Sequence, residues 1–173
     1  MTVGKNKIGI LGGSFDPAHK GHLVISREAI KRFNLKKVIW AITKKNPFKK
    51  KSFTSLEKRI KCCRKVIGTN NFIKVKFYEN IIKSNKTINL INHISKNKKY
   101  EIYFIMGADN LIKFHKWHKW KSISQKCNIV VFDRHGFKKK SLNSITFKKL
   151  NDKNLKFIEF NKVNISSSQL RKI

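Results

Sequence analysis

The residues best suited to chemistry gather in one short string, Gly12-Gly13-Ser14-Phe15-Asp16-Pro17-Ala18-His19-Lys20-Gly21-His22. Glycines let a backbone approach a phosphate with no Cβ in the way. His19 and His22 stand three apart, a spacing that places two side chains on one side of a helix. Two imidazoles so placed can donate hydrogen bonds to phosphate oxygens and stabilise charge building there. The string follows the apolar run Ile8-Gly9-Ile10-Leu11 and precedes a helix predicted over 20–33. That helix start would add free N–H groups and the positive end of a dipole. The string is neither a dinucleotide fingerprint nor a Walker loop, since it lacks the Gly-Lys-Ser/Thr ending. A glycine pair after a strand is commonly only a turn, and a lone histidine is commonly structural. The conjunction carries the meaning.

A second candidate is Ile165-Ser166-Ser167-Ser168-Gln169-Leu170-Arg171. Serines at a helix start cap it and can also bind phosphate oxygens. An arginine in the next turn can reach a phosphate with two parallel bonds. By itself the segment reads as a capped terminal helix with an exposed arginine.

The elements that must position these residues follow from the apolar pattern. Short buried strands are expected at 8–11, 38–42 and 102–106, with further strands at 73–78, within 128–133 and at 157–160. Helices are expected over 20–33 and 87–95, and a short closing helix over 166–173. Another is expected from a Thr54 N-cap, with Glu57 three residues later, to about Ile67 and a Gly68 stop. A helical or irregular segment carries Phe114, Trp117 and Trp120. The stretch 44–52 reads as a basic loop, and the lysines at 138–140 and 148–149 as solvated surface. Strands alternate with helices throughout, so the fold class is α/β: an open parallel sheet with helices on both faces, in a single domain over 1–173.

Composition narrows the function classes. The formal net charge is +32, which suits polyanionic partners, either nucleic acid or phosphate-rich small substrates. The lysines are spread along the chain in short runs, however, as a compositional bias would spread them. No run approaches the roughly 18 apolar residues of a membrane span, and residues 1–7 do not resemble a signal peptide. Cys62, Cys63 and Cys127 show no metal-ligand spacing, so a reducing cytoplasm is the expected location.

The first string matches the GGxFDPxHxGH signature of the nucleotidyltransferases that resemble class I tRNA synthetases at their ATP site. Residues 165–171 resemble that family's ISSTxIR motif, with Ser168 where threonine is usual. Between them, Tyr103-Phe104-Ile105-Met106-Gly107-Ala108-Asp109 resembles a FIxGAD element. Phe114-His115-Lys116-Trp117-His118-Lys119-Trp120 resembles the aromatic segment that follows it. Val130-Val131-Phe132-Asp133-Arg134-His135-Gly136-Phe137 resembles a VxxRPG(Y) loop, with His135 replacing proline. Asn46-Pro47-Phe48-Lys49 resembles a basic substrate loop. Over nearly the whole chain the sequence is thus similar to bacterial nicotinate-mononucleotide adenylyltransferases.

The resemblance implies a Rossmann-like nucleotidyltransferase fold of the HxGH type. It implies transfer of AMP from ATP to nicotinate mononucleotide, giving nicotinate adenine dinucleotide and pyrophosphate, a step of NAD synthesis. The acceptor phosphate would attack the α-phosphorus directly, with Mg²⁺ neutralising the triphosphate and no covalent nucleophile. His19, His22 and Arg171 would be the catalytic residues. Gly12, Gly13, Ser14, Phe15, Gly107, Asp109, Ser166, Ser167 and Ser168 would join them at ATP. Asn46, Lys49, Thr87, Trp117 and Arg134 would meet the acceptor, with Trp117 stacking on the pyridine and Trp120 in the core. No metal ligand is assigned within the chain. Where the family shows T-x-D-T, this sequence reads Thr87-Ile88-Asn89-Leu90, which alters the expected reader of the acceptor carboxylate.

Three rivals differ in class or substrate. Sibling enzymes would use nicotinamide mononucleotide or pantetheine phosphate. The Gly107-Asp109 element, the tryptophan segment and the Ser166–Arg171 ending argue against the pantetheine enzyme. A basic nucleic-acid-binding module would bind in a salt-sensitive way and tolerate loss of His19 and His22. No aromatic RNA-binding motif or helix-turn-helix supports it, so the expected partners are ATP and nicotinate mononucleotide, with no specific nucleic acid and no membrane. A homo-oligomer is left open.

Overall fold

The apolar runs become the strands of one parallel sheet in the computed structural model, which describes residues 4–45, 52–151 and 153–160. The strands are β1 (Asn6–Gly13), β2 (Lys37–Ile42), β3 (Ile73–Lys76), β4 (Tyr100–Gly107), β5 (Asn128–Phe132) and β6 (Leu155–Ile158). Their order is β3-β2-β1-β4-β5-β6, with every pairing parallel. The chain winds from β1 to one edge, then returns to the other side of β1 and winds to the opposite edge. That reversal opens a crevice at the carboxyl ends of β1 and β4, where open α/β sheets bind ligands.

The helices are α1 (Lys20–Phe33), α2 (Leu56–Ile67), α3 (Glu79–Ile82), α4 (Thr87–Ser95), α5 (Ala108–Phe114), α6 (Trp120–Lys126), α7 (Lys138–Leu142) and α8 (Ile145–Leu150). They cover both faces of the sheet. Successive side chains of a strand point to opposite faces, and here both directions are apolar. Ile8, Ile10, Ile102 and Phe104 pack with Ile91 of α4 and with Leu111 and Phe114 of α5. Leu11, Tyr103, Ile105, Val38 and Trp40 pack with Ala29 of α1 and with Cys63 and Ile67 of α2. A strand that is apolar at every position must bury both faces, which is why the parallel arrangement was legible.

Helices α1 and α4 have the expected bounds, while other elements shift for identifiable reasons. The cap of α2 is Ser55, not Thr54: Ser55 Oγ accepts from the Lys58 N–H at 3.3 Å. The Thr54 hydroxyl instead donates to Asp16 Oδ1 at 2.7 Å, a tertiary partner that outcompetes the local cap. Gly68 ends α2 as expected, at φ 59. The strand expected over 73–78 stops at Lys76, because the Tyr78 carbonyl accepts from the N–H groups of Ile81 and Ile82 and starts α3. The last strand lies slightly earlier than expected, at Leu155–Ile158. The lysine-rich stretch forms α7 and α8, which were not anticipated. Its lysines are exposed as expected, but Ser141, Thr146 and Leu150 between them are buried. The closing helix expected over 166–173 lies outside the described residues. Among the described residues no helix is long and apolar enough to cross a membrane.

Candidate active site

Beyond Gly13 the chain turns through residues 14–18 before α1 begins. Phe15 sits at φ 47, a left-handed conformation that costs a bulky residue about 1–2 kcal/mol. Packing holds it there. Its ring stacks on Trp40 at 5.0 Å and leans on His22 at 4.8 Å. The Trp40 indole N–H donates to Ser26 Oγ at 2.8 Å, and that hydroxyl donates to the His22 carbonyl at 2.8 Å. Phe15 is 2% exposed, so its ring is a structural wedge and only its backbone is left to meet a ligand.

His19 and His22 are brought together, although not as two side chains of one helix. His19 is the N-cap of α1, in extended conformation, and its Nδ1 accepts from the Gly21 N–H at 3.1 Å. His22 lies in the first turn, and its Nδ1 accepts from the His19 N–H at 3.2 Å. The ring centroids are 3.8 Å apart. With both Nδ1 atoms accepting, each neutral ring carries its proton on Nε2. Each therefore retains an Nε2–H donor. Burial, helped by the Arg134 charge, lowers the His19 pKa to about 4. Burial also lowers His22 to about 3, with the His19 and Arg134 charges adding to it. At neutral pH the site presents two uncharged imidazole N–H donors beside a helix start, an arrangement able to bind an anion.

The ends of β4 and β5 supply the opposing wall. A Cβ on Gly107 would lie 2.6 Å from Asp109 Oδ1, so glycine leaves room for that carboxylate. Asp109 Oδ2 pairs with Arg134 Nη1 at 2.6 Å, while Oδ1 is buried and, among the described residues, has no hydrogen-bond partner. Arg134, expected at the acceptor, does not line the cavity that holds Thr87 and Trp117. Its charge acts on His19 and His22 instead, which groups it with the loop after β1.

Beside that loop opens a cavity of about 430 Å³ lined by Gly12, Gly13, Tyr78, Thr87, Leu90, Phe104 and Trp117, with Lys86, Lys116 and His118 at exposed positions. A Cβ on Gly12 or Gly13 would meet only the rings of Phe104 or Phe15 at 3.4 or 3.5 Å. Packing therefore does not demand these glycines; their bareness leaves the cavity floor open. Trp117 stands edge-on to Phe104 at 6.0 Å and Phe114 at 5.1 Å. Trp120 also meets Phe114, at 6.1 Å, but does not line the cavity. Trp117 thus reaches both the cavity and the core cluster against which Trp120 also packs. Thr87 opens α4, and Lys86 is its N-cap with no side-chain cap bond. Tyr78, which the sequence did not single out, lies edge-on to His93 at 5.7 Å.

Two further residues organise the site and were also missed. Asp16, 3% exposed, accepts from the Phe53 N–H at 2.6 Å and from the Thr54 hydroxyl at 2.7 Å. It ties the loop after β1 to the segment before α2. Arg59, 2% exposed, donates to main-chain carbonyls that include Ser14 O. In sequence it looked like one more cation on a basic helix. The available signal was its spacing, four before Cys63 and eight before Ile67 on the buried stripe of α2. Asn46, Lys49, Ser166, Ser167, Ser168 and Arg171 lie outside the described residues. Among the described residues no group of three or more His, Cys, Asp or Glu is placed to hold a metal ion.

Comparison with known proteins shows the family and the fold. A family model described as cytidylyltransferase-like matches residues 10–173. A Pelagibacter ubique protein described as "probable nicotinate-nucleotide adenylyltransferase" is 68% identical over 98% of this chain and 94% of its own. An Agrobacterium fabrum protein of the same description is 38% identical over 75% of this chain and 70% of its own. Among solved structures, Plasmodium falciparum nicotinic acid mononucleotide adenylyltransferase complexed with NaAD matches with a TM-score of 0.80 at 22% identity. The match covers 96% of this chain and 83% of that one; at such identity it shows a shared fold.

Proposed function

The chain belongs to the cytidylyltransferase-like family and, within it, to the nicotinate-nucleotide adenylyltransferases, and we propose that it transfers AMP from ATP to nicotinate mononucleotide. One observation carries the reading. Gly12 and Gly13 end the strand that leads into the histidine loop, and they also line the aromatic cavity. An acceptor whose ring occupies that cavity would hold its phosphate next to the loop that holds ATP.

In this reading the Nε2–H groups of His19 and His22 meet the triphosphate, and Arg134 adds positive charge beside them. Arg171 and the hydroxyls of Ser166, Ser167 and Ser168 complete that half, with Ser14 a further contact. An acceptor phosphate oxygen attacks the α-phosphorus, the bond to the β-phosphate oxygen breaks, and pyrophosphate leaves. No side chain becomes covalently attached. The rate comes from alignment and from donors placed where charge builds. Mg²⁺ would neutralise charge on the phosphates. Asp109 Oδ1, a buried carboxylate oxygen without a hydrogen-bond partner among the described residues, is the described donor suited to such a hard cation.

Trp117 and Tyr78 would flank the pyridine ring. The acceptor carboxylate would find Thr87 at the start of α4 with the Lys86 ammonium beside it, and Asn46 and Lys49 would meet the acceptor phosphate. A cavity with two lysines at its margin favours nicotinate over the uncharged nicotinamide. The free cysteines Cys62, Cys63 and Cys127 fit a reducing cytoplasm.

The test is pyrophosphate release by purified protein given ATP, Mg²⁺ and, in parallel, nicotinate mononucleotide, nicotinamide mononucleotide or pantetheine phosphate. The expected result is clear preference for the nicotinate substrate. Preference for either of the others would overturn the assignment.

A further inference from the structure

The guanidinium of Arg59 gathers main-chain oxygens from three segments around the site. Nη1 donates to Ser14 O at 2.7 Å and to Thr43 O at 2.8 Å. Nη2 donates to Lys44 O at 2.8 Å, and Nε to Thr54 O at 3.3 Å. Ser14 belongs to the loop after β1, Thr43 and Lys44 to the loop after β2, and Thr54 to the approach to α2. Asp16 ties the first and third of these segments together a second time. If stability alone were at stake, a packed apolar side chain would serve as well as a buried cation. What a planar fork of donors adds is fixed orientation of the peptides it grips.

The grip on Ser14 has a specific consequence. Across a trans peptide the carbonyl and the following N–H point in opposite directions. Drawing the Ser14 oxygen onto Arg59 therefore turns the Phe15 N–H away from Arg59. Among the described residues that N–H has no hydrogen-bond partner, although Phe15 itself is buried. The wedged Phe15 ring fixes the other side of the same peptide.

We infer that Arg59 is a positioning residue for the phosphate loop: it holds the Ser14–Phe15 peptide so that the Phe15 N–H is presented to the triphosphate. This deepens the adenylyltransferase reading and rests on it for the identity of the nucleotide. Arg59 touches no substrate and acts through the backbone it orients.

Arg59→Lys keeps the charge but loses the planar fork. Its kcat/KM for ATP should fall about a hundredfold, the size expected for one misdirected donor. Its melting temperature and its KM for nicotinate mononucleotide should stay close to the parent's. An unchanged kcat/KM for ATP would overturn the proposal, as would a parallel loss for both substrates that tracks a fall in melting temperature. A second measurement uses the parent protein and does not depend on the variant folding. In a ¹⁵N-labelled sample titrated with inorganic tripolyphosphate, the Phe15 amide proton should move downfield more than its neighbours. No movement there would also overturn the proposal. If the parent binds tripolyphosphate at Phe15 yet fails to adenylylate nicotinate mononucleotide, the acceptor assignment falls and the role of Arg59 stands.

Discussion

Replacing His22 separates its two nitrogens, because each has a different task. Nδ1 accepts from the His19 N–H, and Nε2–H is left for phosphate. In His22→Asn the side-chain oxygen can take over the first task, but nothing reaches as far as Nε2. In His22→Gln the amide nitrogen reaches farther and can donate in its place. Losing one oriented donor to developing charge costs about 2.7–4 kcal/mol, or about a hundred- to a thousandfold in kcat. The structural cost still leaves a folded protein. The ring contacts with Phe15 at 4.8 Å, His19 at 3.8 Å and Trp40 at 5.8 Å disappear, at about 0.5–1.5 kcal/mol each. For a domain of this size a loss of about 1.5–4.5 kcal/mol lowers the melting temperature by roughly 3–18 °C. With a typical stability of about 5–15 kcal/mol, most of the variant is folded at 25 °C. A hundredfold loss of turnover therefore cannot come from unfolding. Steady-state pyrophosphate release and thermal unfolding on the same preparations test this. His22→Asn should be folded and slow, and His22→Gln should regain part of the rate. Parental turnover in His22→Asn would refute the role given to Nε2.

The same histidines set a pH dependence. Folding lowers His19 to about 4 and His22 to about 3 from the ordinary 6.5, so below pH 6.5 the unfolded chain takes up protons that the native chain refuses. Their contribution to stability is thus full above pH 6.5 and is lost as pH falls from there toward 4; urea titrations from pH 7 to 4.5 should show the decline, flatter in His22→Asn. Gly107→Ala places a methyl 2.6 Å from Asp109 Oδ1, too close for the carboxylate to stay where it is. A carboxylate tip moves easily, so stability should change by less than about 1 kcal/mol while kcat/KM for ATP falls by about tenfold or more; unchanged ATP kinetics would remove Asp109 from the site. Trp117→Ala should raise KM for the acceptor about tenfold by loss of a stacking face, leaving KM for ATP in place, and a shift in ATP alone would contradict the cavity assignment. Lys86→Gln, at an exposed position, should lower the nicotinate-to-nicotinamide preference by about two- to fivefold, the worth of an exposed charge, as measured by parallel kcat/KM values.

The sequence alone carried the fold class, because strands that are apolar at every position admit few arrangements other than a parallel sheet covered on both faces. It also carried α1 and α4 to the residue, where helical apolar spacing is regular. It marked Gly12–His22 as one unit, since closely spaced residues remain neighbours in any fold. It did not carry the lysine-rich α7 and α8, whose buried residues are too few to make a periodic signal. Thr54 looked like a cap because local spacing cannot reveal Asp16, 38 residues away, competing for its hydroxyl. Only the tertiary structure decided that His19 caps the helix and does not ride on it, and that both imidazoles keep their protons on Nε2. It also paired Arg134 with Asp109 and set its charge near the histidines, outside the lining of the cavity that holds Thr87 and Trp117. Arg59 shows the physical reason most plainly. Its charge and its place in a basic helix are local properties and read as surface. Its function depends on carbonyl oxygens that only the winding of β1, β2 and α2 around one another brings within reach.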